Sequence, residues 1–290
     1  MKVVVFNHIY KNAGTTIWER YKNNPCSTLL RFPTWSWPDE CIRTKNGKPY
    51  TVPFKPKKLA PPPYYIHGRC HPGMLESYTS GTLTIEPTYI TTLREPIDRI
   101  MSAYNFYITD VYHKWGINMD VNYRLWFLNA YTILPTRYES QMEWFCLHVY
   151  PNPTIGWRKE NKTTYERFRN RSFGKKRLPG ETGMTDIEAK EIEELNCEIA
   201  FDNIIEHYKH VFFLEDERFL TKLDNIFKER DIPVIPNKKI SYIHKTSDSY
   251  GPMDREYIQF SDLSNEDQEF TQYMLEYEIK FYNKCKSRWL

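Results

Sequence analysis

No stretch of about 18 consecutive apolar residues occurs in this chain, which removes a hydrophobic membrane-spanning helix from consideration. The six cysteines, Cys26, Cys41, Cys70, Cys146, Cys197 and Cys285, include no CxxC pair. Paired-thiolate metal binding therefore has no support, and no metal is expected. In a cytosolic protein such cysteines are free thiols, many of them buried as small hydrophobes. Strong charge of one sign is missing as well. The net charge is +3, so any preference for anions has to come from local patches. No recognised nucleic-acid-binding motif is present, and no nucleic-acid partner is expected.

What is plentiful is aromatic surface. Aromatics make up 16% of the 290 residues, with 22 Tyr and 8 Trp. Such surface suits stacking on adenine or sugar rings, and it equally suits a tyrosine-rich core. The length allows one sizeable core, and a single domain over 1–290 is the expectation.

Residues 2–7 form a continuous apolar run, as a buried parallel strand does. A turn from His8 to Thr15 follows, and Thr16-Ile17-Trp18-Glu19-Arg20-Tyr21 opens a helix. Residues 25–63 are rich in Pro, Trp and Lys without sustained periodicity, and Pro61-Pro62-Pro63 closes them as an extended connector. Tyr64 to His67 reads as a second strand and Thr88 to Leu93 as a third. Pro96 suits the first turn of a helix running from Ile97 to about Tyr107. A helical, aromatic stretch covers 121–149. Residues 184–208 form an acidic helix, 211–214 a strand, 216–230 a helix and 264–285 a last helix. Strands alternating with helices predict an α/β fold, a mostly parallel central sheet with helices on both faces.

Residues 156–180 differ from the rest. Arg158, Lys159, Lys162, Arg167, Arg169, Arg171, Lys175, Lys176 and Arg177 interleave there with Trp157, Tyr165, Phe168 and Phe173. The segment reads as a mobile basic insertion. Its guanidinium groups, Arg158 and Arg169 among them, suit an anionic glycan, and a solvated loop is the plainer alternative.

Two segments carry chemistry. In the first, Lys11, Asn12, Ala13, Gly14, Thr15 and Thr16 lie between a strand and a helix. Backbone N–H groups at a helix N-terminus bind phosphate, and small residues at 13 and 14 allow close approach. Lys11 adds a point charge, and Thr15 and Thr16 add hydroxyl donors. The lysine precedes the glycine, so the nucleotide triphosphatase pattern GxxxxGK[ST] is not met. In the second, Arg94-Glu95-Pro96-Ile97-Asp98-Arg99 runs from a strand end into a helix that carries Ser102 about two turns on. Arg94 and Ser102 can reach one anion. Arg99 either supports the fold or adds a second anion contact.

Together the two segments resemble the sulfotransferases that use 3′-phosphoadenosine 5′-phosphosulfate (PAPS), in particular the carbohydrate branch that includes heparan sulfate 2-O-sulfotransferase. His8-Ile9-Tyr10-Lys11-Asn12-Ala13-Gly14-Thr15 is similar to that family's 5′-phosphosulfate loop, H-x-P-K-[TS]-[GA]-[GS]-[TS], departing at Tyr10 and Asn12. Leu93 to Tyr104 is similar to its 3′-phosphate motif, L-R-[DE]-P-x-x-R-x-x-S-x-[YFW]. The strong resemblance covers residues 2–21 and 88–107. Weaker echoes are His67 to Gly73, Phe213-Leu214-Glu215 and Asn237-Lys238-Lys239.

The resemblance implies a P-loop-like sulfotransferase fold. It also implies in-line sulfuryl transfer from PAPS to a carbohydrate hydroxyl, with 3′-phosphoadenosine 5′-phosphate (PAP) as product and no metal required. Lys11 is then the residue at the phosphosulfate bridge, and Arg94 and Ser102 hold the 3′-phosphate. Histidine is the natural candidate for the base, and Glu95, beside the 3′-phosphate arginine, is a less favoured one. Arg69 falls where the family often places that base, with His67 and His71 flanking it. His71 is preferred over His67 because it lies further beyond the strand end, and the alternative is that either histidine only orients the acceptor or caps a loop. Arg69 then contacts the acceptor. Lys238, Lys239 or Lys245 is expected to close over the nucleotide. Many animal members sit in the Golgi behind a membrane anchor. A cytoplasmic bacterial or viral enzyme is therefore expected if the chain is full length, and a Golgi-lumenal one if it is an excised catalytic domain. The competing readings are a catalytically silent nucleotide- or glycan-binding protein on the same scaffold and, further off, a small-molecule kinase.

Overall fold

In a computed structural model of the chain, the described residues are 2–9, 12–24, 27–30, 42–45, 48–51, 64–68, 72, 86–106, 122–129, 141–147, 186–234 and 257–290. Five strands make one sheet: β1 (Lys2–Asn7), β2 (Ser27–Leu30), β5 (Tyr64–Gly68), β6 (Glu86–Leu93) and β7 (His210–Phe213), in the order β2-β5-β1-β6-β7. Every pairing in it is parallel. Two further strands, β3 (Ile42–Lys45) and β4 (Lys48–Thr51), pair antiparallel as a separate hairpin. The helices are α1 (Gly14–Tyr21), α2 (Pro96–Phe106), α3 (Tyr123–Asn129), α4 (Gln141–Leu147), α5 (Asp186–His207), α6 (Phe219–Glu229) and α7 (Asn265–Trp289).

Parallel strands need crossovers, and crossovers put helices on the faces of the sheet. β1 shows the consequence. Val4 and Phe6 face a cluster with Ile17 and Tyr21 of α1 and Leu223, Ile226 and Phe227 of α6. Val3 and Val5 face the other way, toward Trp144 and Phe145 of α4, Ala200 and Ile204 of α5 and Phe281 of α7. Both faces are covered, so the strand reads as an unbroken apolar run. A third cluster joins Ile100, Met101 and Tyr104 of α2 to Tyr123 and Trp126 of α3 and Leu275 of α7.

β1 lies between β5 and β6, so the strand order reverses beside it. In open α/β sheets the crevice for a ligand forms where the order reverses, beyond the carboxyl ends of the strands. Here those ends are Asn7 and Leu93, and each leads into one of the two sequence segments singled out above. Among the described residues, no helix is long and apolar enough to cross a membrane.

Candidate functional site

The loop after β1 turns sharply. The His8 amide donates to Gly68 O at 2.8 Å, and the Asn12 amide donates to Ile9 O at 3.2 Å. Ala13 then takes a left-handed conformation, φ 56° and ψ 18°, at the N-cap of α1. A left-handed residue followed by a right-handed one aims successive N–H groups into a shared concavity suited to an anion. A non-glycine residue held there costs about 1–3 kcal/mol, which the surrounding structure has to offset. The first i→i−4 bond of the helix runs from Ile17 N to Ala13 O at 3.0 Å. The amides of Gly14, Thr15 and Thr16 precede it and point beyond the helix end. Thr16 is buried at 6% exposure.

Gly14 has a second reason to be glycine. A Cβ at that position would lie 1.9 Å from His8 Nε2 and 2.0 Å from its Cδ2. The imidazole of His8 therefore fills the space above the first turn of α1. Gly14→Ala is expected to cost about 1–3 kcal/mol through overpacking. Adding His8→Ala should recover part of that loss, because the ring is then gone. Chemical unfolding of the four proteins in a double-mutant cycle measures it. Strictly additive losses would show that the ring is not what the methyl meets.

Asn12 faces inward. Its side chain is fully buried, and Nδ2 donates to Thr92 O at 2.8 Å and to Gln141 Oε1 at 2.6 Å. Thr92 Oγ1 returns a bond to Asn12 O at 2.6 Å. Asparagine at the position of departure from the family pattern thus ties the first anion loop to β6 and α4. Both of its donor hydrogens are committed to protein.

Arg94 follows β6 directly and is half-buried. Its backbone N–H donates to Gln141 Oε1 at 2.9 Å, and its C=O accepts from Gln141 Nε2 at 2.8 Å. Glu95 caps α2, with Oε2 accepting from the Asp98 amide at 2.8 Å. Burial pushes its carboxyl up from the ordinary range. Its own amide donates to Glu215 Oε1 at 2.7 Å, and Glu215 Oε2 accepts from Tyr282 OH at 2.8 Å. Ser102 is buried on α2 at 8% exposure. Of the two alternatives for Arg99, the structure takes the first. The guanidinium is fully buried and pairs with Glu278 Oε1 of α7 at 3.1 Å.

His67 ends β5 among aromatic rings. It is 2% exposed, stacks on Phe6 with centroids 5.0 Å apart, and lies 5.3 Å from His8 and 5.5 Å from Trp18. Its Nδ1 lies 2.8 Å from Tyr65 OH. Burial first, and the neighbouring His8 second, hold the imidazole well below its ordinary range. His67 is therefore neutral near pH 7, and it is enclosed. Lys11, Arg69, His71, Arg158, Arg169, Lys238, Lys239 and Lys245, and with them the whole 156–180 insertion, lie outside the described residues.

Three residues near this crevice escape the motif reading. Tyr257 is 37% exposed. Burial raises its phenol above the ordinary range, and the positive charge of Arg94 offsets part of that. The next residue is pinned, since Asn105 Nδ2 donates to Ile258 O at 2.8 Å and Asn105 Oδ1 accepts from the Ile258 amide at 2.9 Å. Nothing in the local sequence marks Tyr257. Gln141 and Glu278 are the other two, and they join the buried network behind the site.

A search of curated proteins returned no match. A family model described as "Sulfotransferase family" does match, over residues 2–284. That span takes in both of the sequence segments singled out above, every strand of the parallel sheet and most of the last helix, and so the chain belongs to the sulfotransferase family.

Proposed function

We propose that this sulfotransferase takes its sulfuryl group from PAPS and delivers it to a hydroxyl of a carbohydrate. The observation that carries the reading is the pairing of two anion-binding segments at the carboxyl ends of adjacent parallel strands, β1 and β6. A nucleotide with one anionic group at its 5′ end and another at its 3′ position is the ligand such a pair suits. The residues present fit it: a left-handed turn at Ala13 aiming amides outward, and a half-buried arginine at Arg94.

When bound, PAPS supplies the activated sulfuryl group, and the protein's part is to hold and to polarise. The amides of Gly14, Thr15 and Thr16 hold the 5′ end, and Arg94 with Ser102 holds the 3′-phosphate. As the acceptor oxygen bonds to sulfur, His71 takes the hydroxyl proton. Lys11 meets the negative charge that grows on the bridging oxygen as the old sulfur–oxygen bond breaks. His67, enclosed and neutral, backs this site and is not the first choice for proton transfer. The carbohydrate assignment rests on the likeness of the two motifs to the carbohydrate branch and on the Arg- and aromatic-rich 156–180 segment, where Arg158 and Arg169 would meet an anionic glycan.

Calorimetric binding of PAP beside AMP and ATP with magnesium tests the nucleotide reading. PAP is expected to bind far more tightly than AMP. Binding of ATP with magnesium in place of PAP would point to a kinase. PAP binding without turnover across a sulfated-glycan acceptor screen would point to a silent binding protein.

A further inference from the structure

Gln141, the first residue of α4, has a fully buried side chain that bonds both to Asn12 of the first segment and to Arg94 of the second. Its Oε1 accepts from Asn12 Nδ2 at 2.6 Å and from the Arg94 amide at 2.9 Å. Its Nε2 donates to Arg94 O at 2.8 Å and to Glu278 Oε1 at 3.3 Å. Its own amide donates to the same Glu278 oxygen at 3.0 Å. A primary amide has two acceptor sites and two donor hydrogens, and here all four are used. Glu278 in turn pairs with Arg99, five residues beyond Arg94 on the 3′-side segment. The chain of bonds therefore runs from the 5′-side loop through Gln141 to both ends of the 3′-side segment.

We propose that Gln141 is a positioning residue that sets the distance between the 5′ and 3′ anion sites. The inference rests on the bisphosphonucleotide reading above and goes beyond it by naming what fixes the span. A ligand carrying two anions on one ribose binds in the manner of a tethered pair. Its second contact is strong only if the two sites match the tether. The grip of Gln141 on the peptide groups of Arg94 resembles an added strand pairing, and it sets where the Arg94 side chain starts. Its bond to Asn12 sets where the loop before α1 ends. Loss of that clamp should therefore penalise a ligand that needs both sites, and spare ligands that need only one.

The test compares PAP, 5′-AMP and 3′-AMP by calorimetry on the full chain, wild type against Gln141→Leu and Gln141→Glu. Gln141→Leu is expected to lower PAP affinity about 10-fold or more, with 5′-AMP and 3′-AMP each changing by less than about 3-fold. Equal losses for all three nucleotides, or no loss for PAP, would overturn the inference, since a merely structural role moves them together. Gln141→Glu keeps the shape and the acceptors but loses the donors until it is protonated. Beside Glu278 that protonation is favoured by burial and like charge. PAP affinity of Gln141→Glu, relative to wild type at the same pH, should therefore recover between pH 8 and pH 5.5. A flat ratio overturns the inference even if Gln141→Leu does not fold. A wild-type chain that fails to bind PAP at all would instead overturn the nucleotide reading, and this inference with it.

Discussion

Glu278→Ala is expected to destabilise the protein by about 3–5 kcal/mol, the usual cost of removing one partner of a buried ion pair. Neither Arg99 nor Glu278 is exposed to solvent, and the two meet at 3.1 Å between α2 and α7. Alanine at 278 leaves the guanidinium buried without its countercharge. It also removes the acceptor for the Gln141 amide and for Gln141 Nε2. Burial pushes the Glu278 carboxyl up, against the pull of Arg99, so the carboxylate is held at a cost in desolvation. Glu278→Gln should accordingly lose less than Glu278→Ala, because an amide oxygen can still accept from Gln141. Arg99→Met combined with Glu278→Leu should recover much of the loss, since no charge is then left buried alone. Denaturant midpoints at constant slope measure all three variants. A loss below about 1 kcal/mol for Glu278→Ala would mean that Arg99 is neutralised elsewhere, and the account of this pair would fail.

The position of Glu278 also shows how far a sequence can be read. On α7 the buried residues Thr271, Met274, Leu275, Phe281, Tyr282 and Cys285 recur at helical spacing, and Glu278 occupies the middle of that stripe. A carboxylate inside an apolar stripe calls for a buried partner, and this signal is present in the sequence. What is not present is the identity of the partner, Arg99, because only the fold brings α2 against α7. Gln141 carries no signal at all. A glutamine at the start of a short helix reads as a solvent-facing residue until Asn12 and Arg94 close around it.

The parallel strands were the accessible part, because burial on both faces leaves an unbroken apolar run and helices must alternate with it. The expected third strand, 88–93, starts two residues late against Glu86–Leu93, where Glu86 is exposed and paired with Arg230 at 2.8 Å. The stretch 25–63, in which no sustained periodicity is legible, contributes the edge strand β2 and the β3–β4 hairpin. β2 has four residues, too few for a period to show. The hairpin has a signal in Asn46-Gly47, the dipeptide favoured in two-residue turns, between the paired residues Lys45 and Lys48. Its strands lack the alternation that would support it. The helical stretch 121–149 divides into α3 and α4, and Pro135 falls between them. The strand-to-helix junction that carries Arg94 and Ser102 is legible, since Pro96 opens the helix directly after the strand. Asn12 reads as a ligand contact, and its side chain instead turns into the core.

Lys11→Ala and Arg94→Ala should fail in opposite ways, and the contrast tests the division of labour between the two segments. Lys11, which lies between Ile9 and Asn12 in the sequence, is outside the described residues. In the proposed role the lysine is a point charge on the bond that breaks, and its contribution grows as charge develops in the transition state. Its loss is expected to lower turnover about 100- to 1,000-fold, the range seen when one donor to a developing charge is removed, while PAP affinity stays close to wild type. Arg94 is expected to act on the ground state as well. Gln141 grips the peptide groups of Arg94 and not its guanidinium, so alanine at 94 keeps that frame and removes the guanidinium proposed for the 3′-phosphate. A hydrogen bond to a charged group contributes about 1.5–3 kcal/mol, or roughly 10- to 100-fold in affinity. PAP should weaken by that factor, and AMP, which lacks the 3′-phosphate, should change little. Single-turnover rates with PAPS and calorimetry with PAP and AMP separate the two variants. Equal weakening of PAP and AMP by Arg94→Ala would remove Arg94 from the 3′-phosphate. Unchanged turnover in Lys11→Ala would move the stabilising charge to another residue, and the 5′-side loop would then hold the nucleotide without helping its bond to break.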